Sequence, residues 1–150
     1  MLDTKNIKIK SFDQLTKKEL YAILALRIQV FCVEQNCPYQ DIDYQDIDAT
    51  HVFLKDADSI MAYARIIHEN ENKAHIGRVV VNDNYRKHGY ATLIMQNCIQ
   101  LIKQNKTKNI IISAQSYLKD FYRNLGFVNT GKYYLEDDIP HEQMQIILTS

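Results

Sequence analysis

The sequence predicts a mixed α/β protein, with helices packed on a central sheet, and three observations support this fold class. Apolar residues recur at helical spacing after Thr16, which can cap a helix while Glu19 completes a capping box. Residues 74–81 include three consecutive valines, which favours a strand. Residues 109–113 are short and very apolar, as in a strand covered on both faces. Because a helix-compatible segment separates these two strands, we expect a parallel crossover between them.

The other elements are predicted from alternation, turn residues and helix breakers. Asp56 and Asp58 mark the turn of a hairpin, which adds antiparallel pairs and makes the sheet mixed. Ligands in such sheets tend to bind at the carboxyl ends of the parallel strands, here near Val81 and Ala114. The predicted strands lie near residues 7–12, 51–55, 59–67, 74–81, 109–113, 127–135 and 143–148, and the helices near 16–34, 89–104 and 117–124.

Length and charge limit the classes of function. The 150 residues predict one domain, 1–150, which is large enough to bury a core. Eighteen basic and eighteen acidic side chains cancel, whereas a general nucleic-acid binder carries a basic excess. No apolar run approaches the ~20 residues that span a bilayer, and the first residues do not resemble a signal peptide. We therefore expect a cytoplasmic protein without nucleic-acid or membrane partners.

Two groups of side chains are candidate metal ligands, but neither matches a known ligand pattern. They are Cys32, Cys37, Cys98, Asp41, Asp43, Asp46 and Asp48. The cysteines are odd in number and lack CxxC spacing, which favours reduced thiols over a disulfide or a zinc site. The aspartates fail the EF-hand pattern, which needs a glycine and a terminal glutamate at fixed positions. We expect no metal.

The turn RKHGYA places positive charge where a strand passes into a helix. A helix N-terminus presents unpaired N–H groups and the positive end of the helix dipole, and so binds phosphate. Gly89 and the small Ala91 let the backbone approach an anion closely, and Arg86 and Lys87 can add charge-assisted hydrogen bonds. The turn is typical of a pyrophosphate site. The alternative is that Gly89 only makes a tight turn and that the basic side chains are solvated. The GxxxxGK[ST] and GxGxxG motifs of nucleotide-binding proteins are absent from the sequence.

Several segments in the right order resemble one known family. RKHGYA matches the R/Q-x-x-G-x-G/A pattern of the GCN5-related N-acetyltransferases (GNAT), RVVV resembles their central strand, and FYRNLGF resembles their tyrosine-containing helix. VFCVEQNCPYQDID, IGRVVV, AQSYLKDFYRNLGF and EDDIPHEQM resemble the ElaA-like branch. The resemblance runs from about Leu20 to Met144. Ala91 replaces the second glycine, and Asp138 stands where the branch often has glycine.

The resemblance implies a mostly antiparallel sheet with one splayed parallel pair that admits acetyl-CoA as co-substrate. The backbone of residues 86–91 would hold the pyrophosphate, with the Thr92 hydroxyl nearby. Residues 79–81 would run beside the pantetheine arm, and an N–H near Val81 would polarise the thioester carbonyl, where charge develops. The implied cofactor-binding residues are Val79, Val80, Val81, Arg86, Lys87, His88, Gly89, Tyr90, Ala91, Thr92, Gln115, Phe121 and Arg123.

Tyr122 is the implied catalytic acid. A phenol with a pKa near ~10 stays protonated at neutral pH and can protonate the departing thiolate, although packing is its alternative role. The acceptor amine must lose a proton, and the candidate bases are Glu34, His51 and His141, each of which has a structural alternative. The acidic loop would form a wall of the acceptor site and attract a cationic amine.

The implied function is an N-acetyltransferase that transfers acetyl directly to an amine in a ternary complex. The acceptor is a small-molecule or protein amine. The protein is expected to be a monomer or homodimer. The alternative from another class is an acyl-CoA-binding sensor without catalysis, and a nucleotide-binding domain is a third, weaker reading.

Overall fold

The computed structural model describes residues 6–148 and contains one seven-stranded sheet in the order β1-β2-β3-β4-β5-β7-β6. The strands are β1 (Ile7–Ser11), β2 (Thr50–Asp56), β3 (Ser59–Asn70), β4 (Lys73–Val81), β5 (Asn109–Gln115), β6 (Val128–Glu136) and β7 (Ile139–Ile147), and the helices are α1 (Lys17–Ile28), α2 (Tyr90–Gln104) and α3 (Lys119–Asn124). Neighbouring strands are antiparallel except β4 and β5, which are parallel. The predicted mixed sheet is confirmed.

The two faces of the sheet are covered by different helices. Side chains alternate between faces along a strand, so Val52 packs on one side and Phe53 on the other. Ile94 and Ile102 of α2 are fully buried against the first face, and Ile23 of α1 packs against the second. Within residues 6–148, no helix combines the length and apolar composition needed to cross a bilayer.

The capping box predicted at the start of α1 is confirmed. Thr16 Oγ1 accepts a hydrogen bond from the Glu19 N–H at 3.0 Å, and Glu19 Oε1 accepts one from the Thr16 N–H at 2.9 Å. After Ile28 the chain continues as a π-helical segment, Gln29–Glu34. The whole helical stretch therefore ends where the sequence predicts, but its wider last turns were not foreseen.

The last hairpin differs from the prediction, because β7 begins at Ile139 instead of near residue 143. Pro140 hides this start in the sequence, since proline cannot donate a hydrogen bond to a sheet and argues against a strand. The turn before it is tight: Asp137 and Asp138 have φ angles of 50° and 64°. Consequently the acidic end of β6 folds back beside the start of β7.

The parallel pair separates at its carboxyl ends. Residues 73–75 of β4 pair with 109–111 of β5, and the pairing stops there. Further along, the register between β3 and β4 shifts so that Arg78 and Val79 face Ala64, and Arg78 takes a φ of 52°. This bulge bends β4. A wedge therefore opens between β4 and β5.

Candidate active site

A cavity of about 650 Å³ fills the wedge between β4 and β5. It lies where ligands bind in sheets of this type, at the carboxyl ends of parallel strands. Its walls also include the end of the first helix, the start of α3 and the β6–β7 hairpin. The lining residues are Val30, Phe31, Glu34, Gln35, Cys37, Tyr39, Ile76, Gly77, Arg78, Val79, Val80, Val81, Arg86, Ile112, Ser113, Gln115, Tyr117, Leu118, Tyr122, Glu136, Asp137, Ile139 and His141.

Tyr122 of α3 lines this cavity and is 8% exposed. The rings of Phe121 and Phe127 meet it edge-on, with centroids 5.0 Å and 6.0 Å away, and so fix its position. Burial raises the pKa of Tyr122 to about 12, so its phenol stays protonated at neutral pH. No hydrogen bond to a residue in the described range 6–148 occupies its hydroxyl. The arrangement suits a proton donor.

Glu34 and Arg86 both line the cavity and are paired with each other. Arg86 Nη1 lies 2.9 Å from Glu34 Oε2, and Nη2 donates to Oε1 at 3.0 Å. Arg86 Nε also donates to the Val81 C=O at 3.2 Å. Glu34 would therefore compete with a phosphate for this guanidinium. The same pairing engages both carboxylate oxygens of Glu34, so the carboxylate would have to leave Arg86 to reach an amine.

The N-terminus of α2 has the features of an anion site. Gly89 is the N-cap with a φ of 79°, and no side chain caps the helix. The first bond of the helix backbone runs from the Leu93 N–H to the Gly89 C=O at 3.1 Å. The amides of Tyr90, Ala91 and Thr92 precede this bond and so have no acceptor within the helix. Lys87 also has a positive φ, 67°, so the turn is shaped by its backbone.

His141 lies on the far wall of the cavity, beside the acidic turn of the last hairpin. Its Nδ1 is 2.7 Å from the Ile139 C=O, and its Nε2 is 3.3 Å from Glu136 Oε2. The Tyr134 ring stacks on it at 6.0 Å and 16°. Sequence reasoning missed Glu136 and its neighbour Asp137, because only the tight hairpin brings this acidic pair to the cavity.

Nine predicted site residues do not line the cavity: residues 87–92, in the turn before α2 and its first positions, together with His51, Phe121 and Arg123. His51 is 1% exposed, and both its ring nitrogens are used: Nδ1 by the Tyr63 hydroxyl at 2.7 Å, and Nε2 by the Asp46 C=O at 2.9 Å. Burial lowers the pKa of His51. Phe121 packs in the core next to the tyrosine, and the Arg123 side chain is 53% exposed.

The acidic loop belongs to a buried set of charges that we name the arginine–aspartate network, formed by Arg27, Arg65, Arg78, Asp41, Asp43 and Asp46. Arg27 contacts Asp41 at 3.0 Å and Asp46 at 2.6 Å. Arg65 contacts Asp43 at 2.8 Å and Asp46 at 3.0 Å. Burial alone would raise the pKa of Asp46, but hydrogen bonds and charge from both arginines lower it.

Arg78 joins the arginine–aspartate network to the cavity. Its Nε lies 2.9 Å from Asp41 Oδ1 as an ion pair that lacks hydrogen-bond geometry, and its guanidinium sits over the Tyr39 ring at 5.4 Å. Asp41, Asp43 and Asp46 thus already have cationic partners, which weighs against the expectation that the acidic loop attracts an amine. In the part of the chain that the structure describes, no group of three or more potential ligands could hold a metal ion.

The mixed sheet with one splayed parallel pair is the fold that the resemblance to the N-acetyltransferases implies. A model of the acetyltransferase (GNAT) domain matches residues 14–148, so the chain belongs to the GNAT family. Protein ElaA of Escherichia coli K12 is 38% identical over 133 residues, which cover 85% of this chain and 87% of ElaA. The expected ElaA-like branch is therefore confirmed.

Two other comparisons agree with the assignment to the GNAT family. A UPF0039 protein of Schizosaccharomyces pombe is 41% identical over 142 residues, 93% of this chain and 95% of that protein. The crystal structure of an acyl-CoA N-acyltransferase from Pseudomonas aeruginosa matches with a TM-score of 0.87 at 38% identity and covers 93% of this chain and 97% of its own. Family membership supports acyl transfer from an acyl-CoA to an amine as the reaction class.

Proposed function

We propose that the protein is an acetyl-CoA-dependent N-acetyltransferase that passes the acetyl group directly to an amine in a ternary complex. The observation that carries this proposal is the position of Tyr122, a protonated phenol without a hydrogen-bond partner among residues 6–148, in the wall of the β4–β5 cavity. The core residues Ile76 and Ile112 line the same cavity, but they carry no proton to donate. The acyl-CoA N-acyltransferase from Pseudomonas aeruginosa supports the reaction class.

The described residues fit acetyl-CoA in two places. The unpaired amides at the start of α2 suit a pyrophosphate, with Lys87 and the Thr92 hydroxyl beside them. The wedge between β4 and β5 is open along Val79, Val80 and Val81, whose backbone suits the extended pantetheine arm. Gln115 lies across the wedge at the end of β5 and can hydrogen-bond either substrate.

The chemistry needs an acid and a base from this chain. Acetyl-CoA supplies an activated thioester, and an N–H near Val81 would stabilise the charge that develops on the carbonyl oxygen. Tyr122 holds the proton that the leaving thiolate requires. A lysine-type amine has a pKa near ~10.4, so only about one molecule in two thousand is neutral at pH 7 and a base is required.

The test is the release of CoA thiol from acetyl-CoA across a panel of amines that includes polyamines, amino sugars, amino acids and lysine peptides. We expect one amine class to drive release well above the rate without amine. Propionyl-CoA and butyryl-CoA run in parallel test the preference for acetyl. Calorimetric binding of acetyl-CoA without release by any amine would favour the sensor function, and absence of binding would contradict both.

A further inference from the structure

We propose that His141 is the general base that takes the proton from the acceptor amine, and that Glu136 positions this histidine and stabilises its protonated form. The inference rests on the proposed function and selects among the three bases that the sequence left open. Both residues line the same cavity as Tyr122. The acid would then come from α3 and the base from the β6–β7 hairpin, two elements that both contact β5.

The hydrogen bonds of His141 determine where its proton sits. The Ile139 C=O can only accept a hydrogen bond, so at 2.7 Å it requires the proton to be on Nδ1. The neutral ring therefore carries its free lone pair on Nε2. That atom lies 3.3 Å from Glu136 Oε2 without hydrogen-bond geometry, so the carboxylate does not occupy the lone pair as the partners of His51 do. The contact becomes favourable once Nε2 takes up a proton.

The ring is held rigidly. The His141 side chain is 7% exposed, and the Tyr134 ring lies nearly parallel to it at 6.0 Å. Tyr134 is itself tied to β5 by the hydrogen bond between its hydroxyl and Ser113 Oγ. A base held in this way loses little entropy when it meets the amine. Glu136 and Ile139 come from the same hairpin, so the tight turn sets the geometry of the base.

The charges around the ring favour a positive group. Tyr134 and Glu136 face it from β6, Asp137 of the turn lines the same cavity, and β5 contributes the uncharged Ser113 and Gln115. The two arginines of the cavity are already compensated, Arg78 by the arginine–aspartate network and Arg86 by Glu34. An ammonium group entering this side meets net negative charge.

The proton step is balanced without a further reagent. One N–H bond of the ammonium breaks, its electron pair stays on the amine nitrogen, and a new N–H bond forms at His141 Nε2. The amine then attacks with that electron pair, and Tyr122 gives its proton to the departing thiolate. The second proton lost by the nitrogen as the amide forms restores the Tyr122 phenol, and the imidazolium returns its proton to water. The other candidates fit less well, since Glu34 is held by Arg86 and both ring nitrogens of His51 are occupied.

The first test is the tautomer of His141 in the free protein. Long-range ¹⁵N–¹H spectra are recorded well above the usual imidazole pKa of ~6.5, and the signals of the five histidines are assigned by their loss in single variants. We expect the neutral His141 ring to carry its proton on Nδ1. A proton on Nε2 would overturn the inference, because no lone pair would then be available to the amine.

The second test uses the pH dependence of kcat/KM. His141→Gln should lower kcat/KM by about 100-fold while the Kd for acetyl-CoA stays unchanged, because only proton transfer is lost. Glu136→Gln should move the acid limb of the kcat/KM profile to lower pH, because the imidazolium of His141 loses its carboxylate partner. Glu136→Asp should restore part of this shift. Asp138→Asn removes the same charge from the same turn without contacting the ring and serves as the control.

The results separate the two proposals. An acid limb that stays in place in Glu136→Gln, or moves equally in Asp138→Asn, would overturn the role of Glu136. Full activity in His141→Gln would overturn the inference and leave the proposed function standing. A wild type that shows no thiol release with any amine would overturn both.

Discussion

The β4–β5 cavity and the arginine–aspartate network are neighbouring regions of the protein that use charged and aromatic side chains in opposite ways. In the network every carboxylate has a guanidinium partner, and Arg27 is completely buried. In the cavity, the Tyr122 hydroxyl has no hydrogen-bond partner among the described residues, and His141 keeps a lone pair on Nε2. The density of charge does not distinguish the two regions; what separates them is how fully each group is paired.

The network has a structural explanation. It ties the loop that carries Asp41, Asp43 and Asp46 to α1, β3 and the bulge of β4. A buried ion pair adds little net stability compared with apolar packing, but removal of one partner leaves a buried charge uncompensated. We therefore expect variants in the network to change stability and variants in the cavity to change chemistry.

The largest effect should come from Arg27→Ala, because it leaves two buried carboxylates without their main partner. We expect the free energy of unfolding to fall by about 3–5 kcal/mol in urea titrations. Arg123→Ala is the control, since its 3.5 Å contact with Asp120 lies on the surface and should contribute about 0–1 kcal/mol. Similar losses in the two variants would contradict a structural network.

The second largest effect is expected on turnover, from a variant of the β4–β5 cavity. Tyr122→Phe should lower turnover by about 100-fold, which is ~2.7 kcal/mol in activation free energy, because the leaving thiolate loses its proton donor. The Kd for acetyl-CoA and the thermal midpoint should stay close to wild type. Tyr21→Phe, at an exposed position on α1, is the matched control. Unchanged turnover in Tyr122→Phe would remove the acid role.

A third comparison concerns the turn before α2. Gly89→Val should weaken acetyl-CoA binding by about tenfold, because a β-branched residue is strained at a φ of 79° and blocks approach to the amides. Arg86→Ala should weaken binding less, since that guanidinium is already engaged by Glu34. Gly131→Val controls for strain, because Gly131 also has a positive φ, 94°, in open surroundings. Equal affinities in the two test variants would remove the anion-site argument.

The smallest effect is the pH dependence of stability. The folded state lowers the pKa of His51 through burial, and it lowers those of Asp43 and Asp46 because their arginines outweigh burial. Each group then binds protons more readily when unfolded, so stability falls as pH falls. The loss should begin below about pH 6.5 for the histidine and continue below about pH 4 for the aspartates. In urea titrations at several pH values, His51→Gln should remove the part of the stability loss that begins below about pH 6.5.

Local signals in the sequence predicted the fold well. The capping box at Thr16, the valine-rich strand and the crossover depend on neighbouring residues and are confirmed. The start of β7 was missed, because Pro140 masks it and only the Asp137–Asp138 turn reveals the hairpin.

The candidate site could be predicted only in part. Motif order placed Tyr122, Gln115 and the RKHGYA turn in one region, and the first two line the cavity. The partners of the aspartates could not be read from the sequence, because Arg65 lies about twenty positions from the carboxylates that it contacts. The same limit applies to Glu136, whose position beside His141 depends on the hairpin.

The most direct test of where acetyl-CoA binds is amide hydrogen exchange of the wild type with and without it. We predict slower exchange across residues 79–92, which include the end of β4 and the uncapped turn of α2. Exchange in the loop of residues 41–48 should change little, because three of its four carboxylates are already paired with arginines. Unchanged exchange across residues 79–92, or slowing confined to the loop, would contradict the assignment of the cavity as the cofactor site.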